Sequence, residues 1–157
     1  MSAPDTLAPR GRIQDVLVFL ARLVLGVVFI AHGLLKAKDV DATVAGFAAG
    51  GIPLPRLSLW FTLCVEFGGG AALILGLALP LIGALLAVVT AGALFFVHGA
   101  KGFYVHEGGY EYVLVLGVVS LVVGTAGGRL ALDEAFARRW ARWARLTGRS
   151  ATGAPGS

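Results

Sequence analysis

Charge is scarce in this sequence. Of 157 residues only 14% are Asp, Glu, Lys or Arg, where soluble proteins average about 25%. A small soluble domain has too much surface to cover with so few charges. Cysteine is scarcer still. Cys64 stands alone, which excludes an internal disulfide and a Cys-x-x-Cys redox or metal motif, and it reads as a small buried apolar residue. There is no phosphate loop, nucleophile elbow or dinucleotide fingerprint. The basic residues behind the net charge of +4 gather in a short tail, without a nucleic-acid-binding motif.

What the chain has in quantity is apolar surface: 57% hydrophobic residues and a mean hydropathy of +0.84. Lipid must be the solvent for much of it. The 23 glycines follow no three-residue period and lie inside apolar runs, where glycine lets transmembrane helices approach closely.

The first apolar run, about Ile13 to Leu35, follows Arg10 and Arg12. It is longer than a signal-peptide core and no small-x-small cleavage site follows, so it reads as a retained helix. The polar break at 36–56 holds Lys36, Lys38, Asp39, Asp41, Gly50-Gly51 and two prolines, with room for a short helix from Thr43 to Ala49. Leu57 to Ala100 is apolar apart from Glu66 and His98. At about 1.5 Å per residue it is too long for one crossing of a ~30 Å hydrocarbon core. Pro80 divides it into crossings at about Leu57–Leu79 and Leu81–Ala100. After a polar loop at 101–109, the last crossing runs from Tyr110 to Ala126 and stops at Gly127-Gly128.

The expected fold is an all-α membrane protein, a four-transmembrane-helix bundle with a C-terminal interfacial amphipathic helix. Residues 1–12 and 148–157 read as flexible tails around a bundle at 13–128 and a tail helix at 129–147. In that helix Leu132, Phe136, Trp140 and Trp143 fall on one face, and Arg138, Arg142, Arg145 and Arg149 on the other. Such a helix sets Trp at headgroup level and Arg against anionic lipid, while leaving a face that a cytoplasmic partner could use. Arginines after Gly128 outnumber Asp133 and Glu134, so the positive-inside rule puts both termini in the cytoplasm.

The two halves share a weak repeat. Phe29-Ile30-Ala31-His32-Gly33 with Lys36 is echoed by Phe95-Phe96-Val97-His98-Gly99 with Lys101, and each is followed by a glutamate-bearing crossing, with Glu66 and Glu111. Ionisable groups inside a membrane are costly and usually face the bundle interior or a polar cavity. Arg22, His32, Lys36, Glu66, His98 and Glu111 are therefore the candidate intramembrane cluster, open to a ligand role or a purely structural one. Lys36 and Lys101 also suit snorkelling to headgroups. Arg22 and Glu66 differ by only about 6 Å in expected depth, which predicts an ion pair between them. Two His and two Glu could ligate a metal, and two His a haem, but the Glu-x-x-His spacing of di-iron bundles is missing and neither is favoured. Gly68, Ala72 and Gly76, and Gly83, Ala87 and Ala91, form small-residue rows suited to helix packing.

Arg22, Gly26, Phe29, His32-Gly33 and Lys36, then Glu66-Phe67-Gly68-Gly69-Gly70, then Gly108-Gly109-Tyr110-Glu111 and Gly127-Gly128-Arg129-Leu130 resemble the DoxX family, over about Gln14 to Glu134. The resemblance implies a small four-helix protein of the bacterial inner membrane. It also implies oxidoreductase association: a distant DoxD-type relative belongs to a thiosulfate:quinone oxidoreductase. Some DoxX proteins look like the membrane anchor of complexes joining superoxide dismutase and a sulfurtransferase in oxidative-stress defence. The leading expectation is a quinone-linked or anchoring subunit with quinone as the candidate cofactor, a soluble or membrane redox protein as partner, and room for homo-oligomers. A proton-linked or small-solute transporter and a non-catalytic structural subunit are the alternatives.

Overall fold

In the computed structural model, which describes residues 11–126 and 131–132, the first apolar run forms one helix, α1 (Arg12–Ala37). Its outward stripe, with Leu17, Leu20, Val24 and Val27 about half exposed or more, recurs at the three- and four-residue spacing of a helix face turned to lipid. The opposite stripe carries buried Arg22, Leu25, Phe29 and Gly33. α2 (Val40–Ala49) starts earlier than the expected Thr43, because Asp39 caps it by accepting from the Ala42 N–H at 2.9 Å. α3 (Pro55–Leu75) and α4 (Leu79–Lys101) are the next two long apolar helices. α5 (Glu111–Ala126) closes the described bundle. Among the described residues every regular element is helical, and three helices are long and apolar enough to cross a membrane; the 16 residues of α5 make a shorter apolar helix. The expected interfacial helix at 129–147, with Phe136, Arg138, Trp140, Arg142 and Trp143, lies outside the described residues apart from Ala131 and Leu132.

The break between α3 and α4 is not made by Pro80. Gly76 (φ +75°) ends α3, Ala78 (φ +46°) begins the next helix from the left-handed region, and Pro80 sits in the first turn of α4. Proline belongs there, since the first-turn N–H groups have no helical partner and its fixed φ is already helical.

Two glycine crossings hold the helices together, and of the expected small-residue rows only Gly83 takes part in them. A Cβ on Gly26 would stand 2.6 Å from the Gly70 carbonyl oxygen, and one on Gly70 would stand 2.8 Å from that of Gly26. Backbone meets backbone there, as close helix crossings in lipid require. On the other side a Cβ on Gly83 would meet the Ser120 carbonyl, and one on Gly124 would lie 2.8 Å from that of Leu79. Gly68 has nothing within 4 Å of a Cβ, Ala91 is exposed, Ala72 and Ala87 are half-buried, and Gly76 serves the turn. The expected face on α3 is therefore displaced from Gly68 to Gly69 and Gly70. Cys64, expected to be buried, is exposed on α3, the side a membrane helix turns to lipid.

Candidate functional site

The register of α1 against α3 decides which charges meet. Because Gly26 crosses Gly70 and the Phe67 ring packs on Gly33, the antiparallel pair brings Lys36 level with Glu66. The Lys36 ammonium donates to both carboxylate oxygens, at 2.7 and 2.9 Å. Glu66 is 4% exposed and Lys36 24%, so this is a desolvated, two-point ion pair of the kind whose members are costly to separate. The expected Arg22–Glu66 pair does not form. Arg22 lies fully buried beside Gly76 at the far end of α3, with its guanidinium 5.7 Å from the Phe19 ring centre. Ten residues of helix, about 15 Å, separate Gly76 from Glu66. Lys36, read as a candidate for snorkelling, is the partner instead.

Both histidines are fixed through Nδ1. His32 donates it to the Val28 carbonyl at 2.9 Å and His98 to the Gly108 carbonyl at 2.7 Å. A carbonyl only accepts, so the proton sits on Nδ1 and a neutral ring keeps Nε2 as an acceptor. His32 also stacks on Tyr112 of α5, ring centres 5.9 Å apart. Two π turns aim the remaining groups: Val65–Gly69 carries Glu66, and Leu94–His98 carries His98. A π turn inserts an extra residue and rotates the side chains that follow, and such turns cluster at functional sites. After His98 the chain closes a tight loop in which Tyr110 N–H bonds the Gly102 carbonyl at 3.1 Å and Glu111 accepts from Val105 N–H at 3.0 Å. Replacing His98 by Phe strands the Gly108 carbonyl, which costs about 1–3 kcal/mol. Amide hydrogen exchange across 99–110 is expected to quicken, while Glu111→Gln, which keeps an acceptor, leaves it nearly unchanged.

These groups line one cavity of about 540 Å³. His32, Lys36, Glu66 and His98 are the charged or imidazole side chains that line it. Phe29, Phe47, Phe61, Val89, Phe96 and Leu116 are among its apolar walls. Of the six ionisable residues singled out by sequence, four come together here. Arg22 sits elsewhere, and Glu111 holds the loop before α5 through the Val105 N–H. Sequence reasoning missed the Tyr112 platform and the hydroxyls of Ser58, Thr62 and Thr90, which also line the space; only Tyr112, beside Glu111 at the start of an apolar helix, carried a visible signal. Ser58 and Thr90 donate their own protons to the carbonyls of Pro53 (2.6 Å) and Ala87 (2.9 Å). Among the described residues no three His, Cys, Asp or Glu side chains gather as a cation site would need.

Residues 17–99 match the DoxX family. The chain belongs to that family. The matched stretch of this DoxX protein runs from α1 to Gly99, and so contains Lys36, Glu66 and both cavity histidines. Over 114 residues the DoxX chain is 32% identical to "Putative oxidoreductase CatD" of Bacillus subtilis (strain 168), a match covering 73% of this chain and 82% of that protein. No solved structure matches it. Family membership and the three long apolar helices make it a membrane protein.

Proposed function

We propose that this DoxX protein binds a membrane quinone in its cavity and acts as the membrane subunit of an oxidoreductase complex. The observation that carries the reading is a cavity of about 540 Å³ with apolar and aromatic walls, lined also by the Lys36–Glu66 ion pair and by His32 and His98. Small-molecule sites have this size and this mixture of apolar lining with a few convergent polar groups. The residues suit the ligand. After its two bonds to Glu66, the Lys36 ammonium keeps one N–H for a ring oxygen. The two imidazole Nε2 atoms accept from a ring hydroxyl, and Tyr112 and Phe29 offer ring faces to it. A bound quinone would supply two-electron, two-proton chemistry. The protein's part is to hold the ring, exclude water and keep proton acceptors at its oxygens. The name of the Bacillus subtilis relative supports the oxidoreductase class.

The same reading takes α5 as a fourth crossing. It puts both termini on the cytoplasmic side of the bacterial inner membrane, because the arginines of the C-terminal segment and Arg10 and Arg12 favour that side.

The test is binding in lipid nanodiscs, read by quenching of tryptophan fluorescence with ubiquinone-2. Lys36→Met is expected to weaken binding about tenfold, the equivalent of one charge-assisted hydrogen bond. A wild-type protein that neither binds quinone nor co-purifies with a redox partner from native membranes would sink the proposal.

A further inference from the structure

The cavity is not closed on the membrane side. α3 packs against α4 through its π turn and the segment that follows, whereas the stretch Pro55–Cys64 makes no extended contact with α4. Above Val65 the two helices part, and the gap runs into the cavity. Its edges are cavity-lining residues that are also exposed: Phe61 (46%) on α3, and Val88 (59%) and Phe96 (45%) on α4. All are apolar, on helices that cross a membrane, so acyl chains rather than water meet this opening. The end of α2 lies against α4, with a Cβ on Gly50 placed 3.2 Å from the Phe96 carbonyl, and Phe47, Ile52 and Pro53 line the cavity beside it. Gly92 lines the cavity one helical turn from both Val88 and Phe96, and a Cβ there meets nothing within 4 Å. The threshold of the gap is thus set by a glycine with vacant space in front of it.

We infer that the cavity is loaded sideways from the bilayer, between α3 and α4 across Gly92, and that its ligand is a ring with an aliphatic tail that stays in this cleft. The inference rests on the quinone reading and adds the route and the place of the tail. A polar ring lodges by Lys36 and Glu66, while the tail runs out past Phe61 and Val88 into the lipid. The cleft's continuity with the cavity argues for this occupant: a tail in the cleft extends the bound molecule without breaking contact.

A matched pair of glycines tests it. Gly68, exposed on α3, likewise has nothing within 4 Å of a Cβ, but it does not line the cavity. In nanodiscs, Gly92→Phe is expected to slow association of ubiquinone-2 and weaken its binding by about tenfold each. The tail-less ring, 2,3-dimethoxy-5-methyl-benzoquinone, should keep its affinity within about threefold, and Gly68→Phe should change neither. Gly92→Leu and Val88→Trp serve as second variants should Gly92→Phe lower the yield of folded protein. Equal binding of ubiquinone-2 by Gly92→Phe and Gly68→Phe would overturn the route while leaving the quinone site standing. So would a dimer in nanodiscs whose cross-links join the α3/α4 clefts of two copies. Absence of wild-type binding to either ring would remove the site and the route together.

Discussion

Lys36→Leu is expected to destabilise the protein by about 3–5 kcal/mol, the cost of leaving a buried charge without its counter-ion. Glu66 is 4% exposed and both its oxygens bond Lys36, so the stranded carboxylate has no water to turn to. Glu66→Leu should cost less, about 2–3 kcal/mol, because Lys36 is a quarter exposed and its stem can carry the ammonium toward the interface. The double variant Lys36→Leu/Glu66→Leu should recover most of the loss, since an apolar pair of similar volume avoids desolvating two ions. Thermal unfolding in detergent measures all three. A double variant as unstable as Lys36→Leu would show that the charges do not neutralise each other. Quinone binding then separates function from scaffold: a stable double variant that no longer binds means the pair is kept for the ligand, and one that binds normally means it serves assembly.

The second large effect concerns the α1–α3 crossing. Gly26→Leu is expected to lower stability by more than the ~1–3 kcal/mol typical of overpacking, because its Cβ would lie 2.6 Å from a backbone oxygen of Gly70 and 2.7 Å from Ile74. A flexible side chain can move aside; a helix backbone cannot without carrying α3 with it. The displaced helix would also pull Glu66 out of register with Lys36, so quinone binding should fall along with the unfolding temperature. Gly68→Leu, where a Cβ meets nothing within 4 Å, should stay within about 0.5 kcal/mol of wild type. If Gly26→Leu unfolds at the same temperature as Gly68→Leu, the crossing is not where α1 and α3 are held.

Much of the scaffold was legible before any coordinates. Run length and hydropathy located the helical segments to within a few residues, because a membrane helix needs a minimum apolar length and its ends are marked by Lys36, Lys101 and the glycine pairs. The boundary at Pro80 was off by a turn, since a proline can sit in a helix's first turn, and the break needed Gly76 and Ala78 in the left-handed region. Residue type also pointed to His32, Lys36, Glu66 and His98, because a charge in lipid needs a reason. Their pairing was not legible. The estimated depth of Arg22 and Glu66 assumed that α1 ends and α3 begins on one plane. The contacts of Gly26 with Gly70 and of Lys36 with Glu66 instead start α3 roughly two turns beyond the end of α1, with α2 bridging the offset. The π turns escaped too, since no residue pattern announces the extra residue that aims Glu66 and His98 into the cavity.

Composition and the length of apolar runs were enough to choose the solvent, the helical class and the residues that would be expensive to bury, because each depends on local chemistry alone. Partner choice, the shift of the small-residue face to Gly70, and the joining of four ionisable side chains into one cavity depended on how helices slide and rotate against one another. That register comes from backbone contact at Gly26–Gly70 and Gly83–Gly124, and such contact exists only once the helices have met.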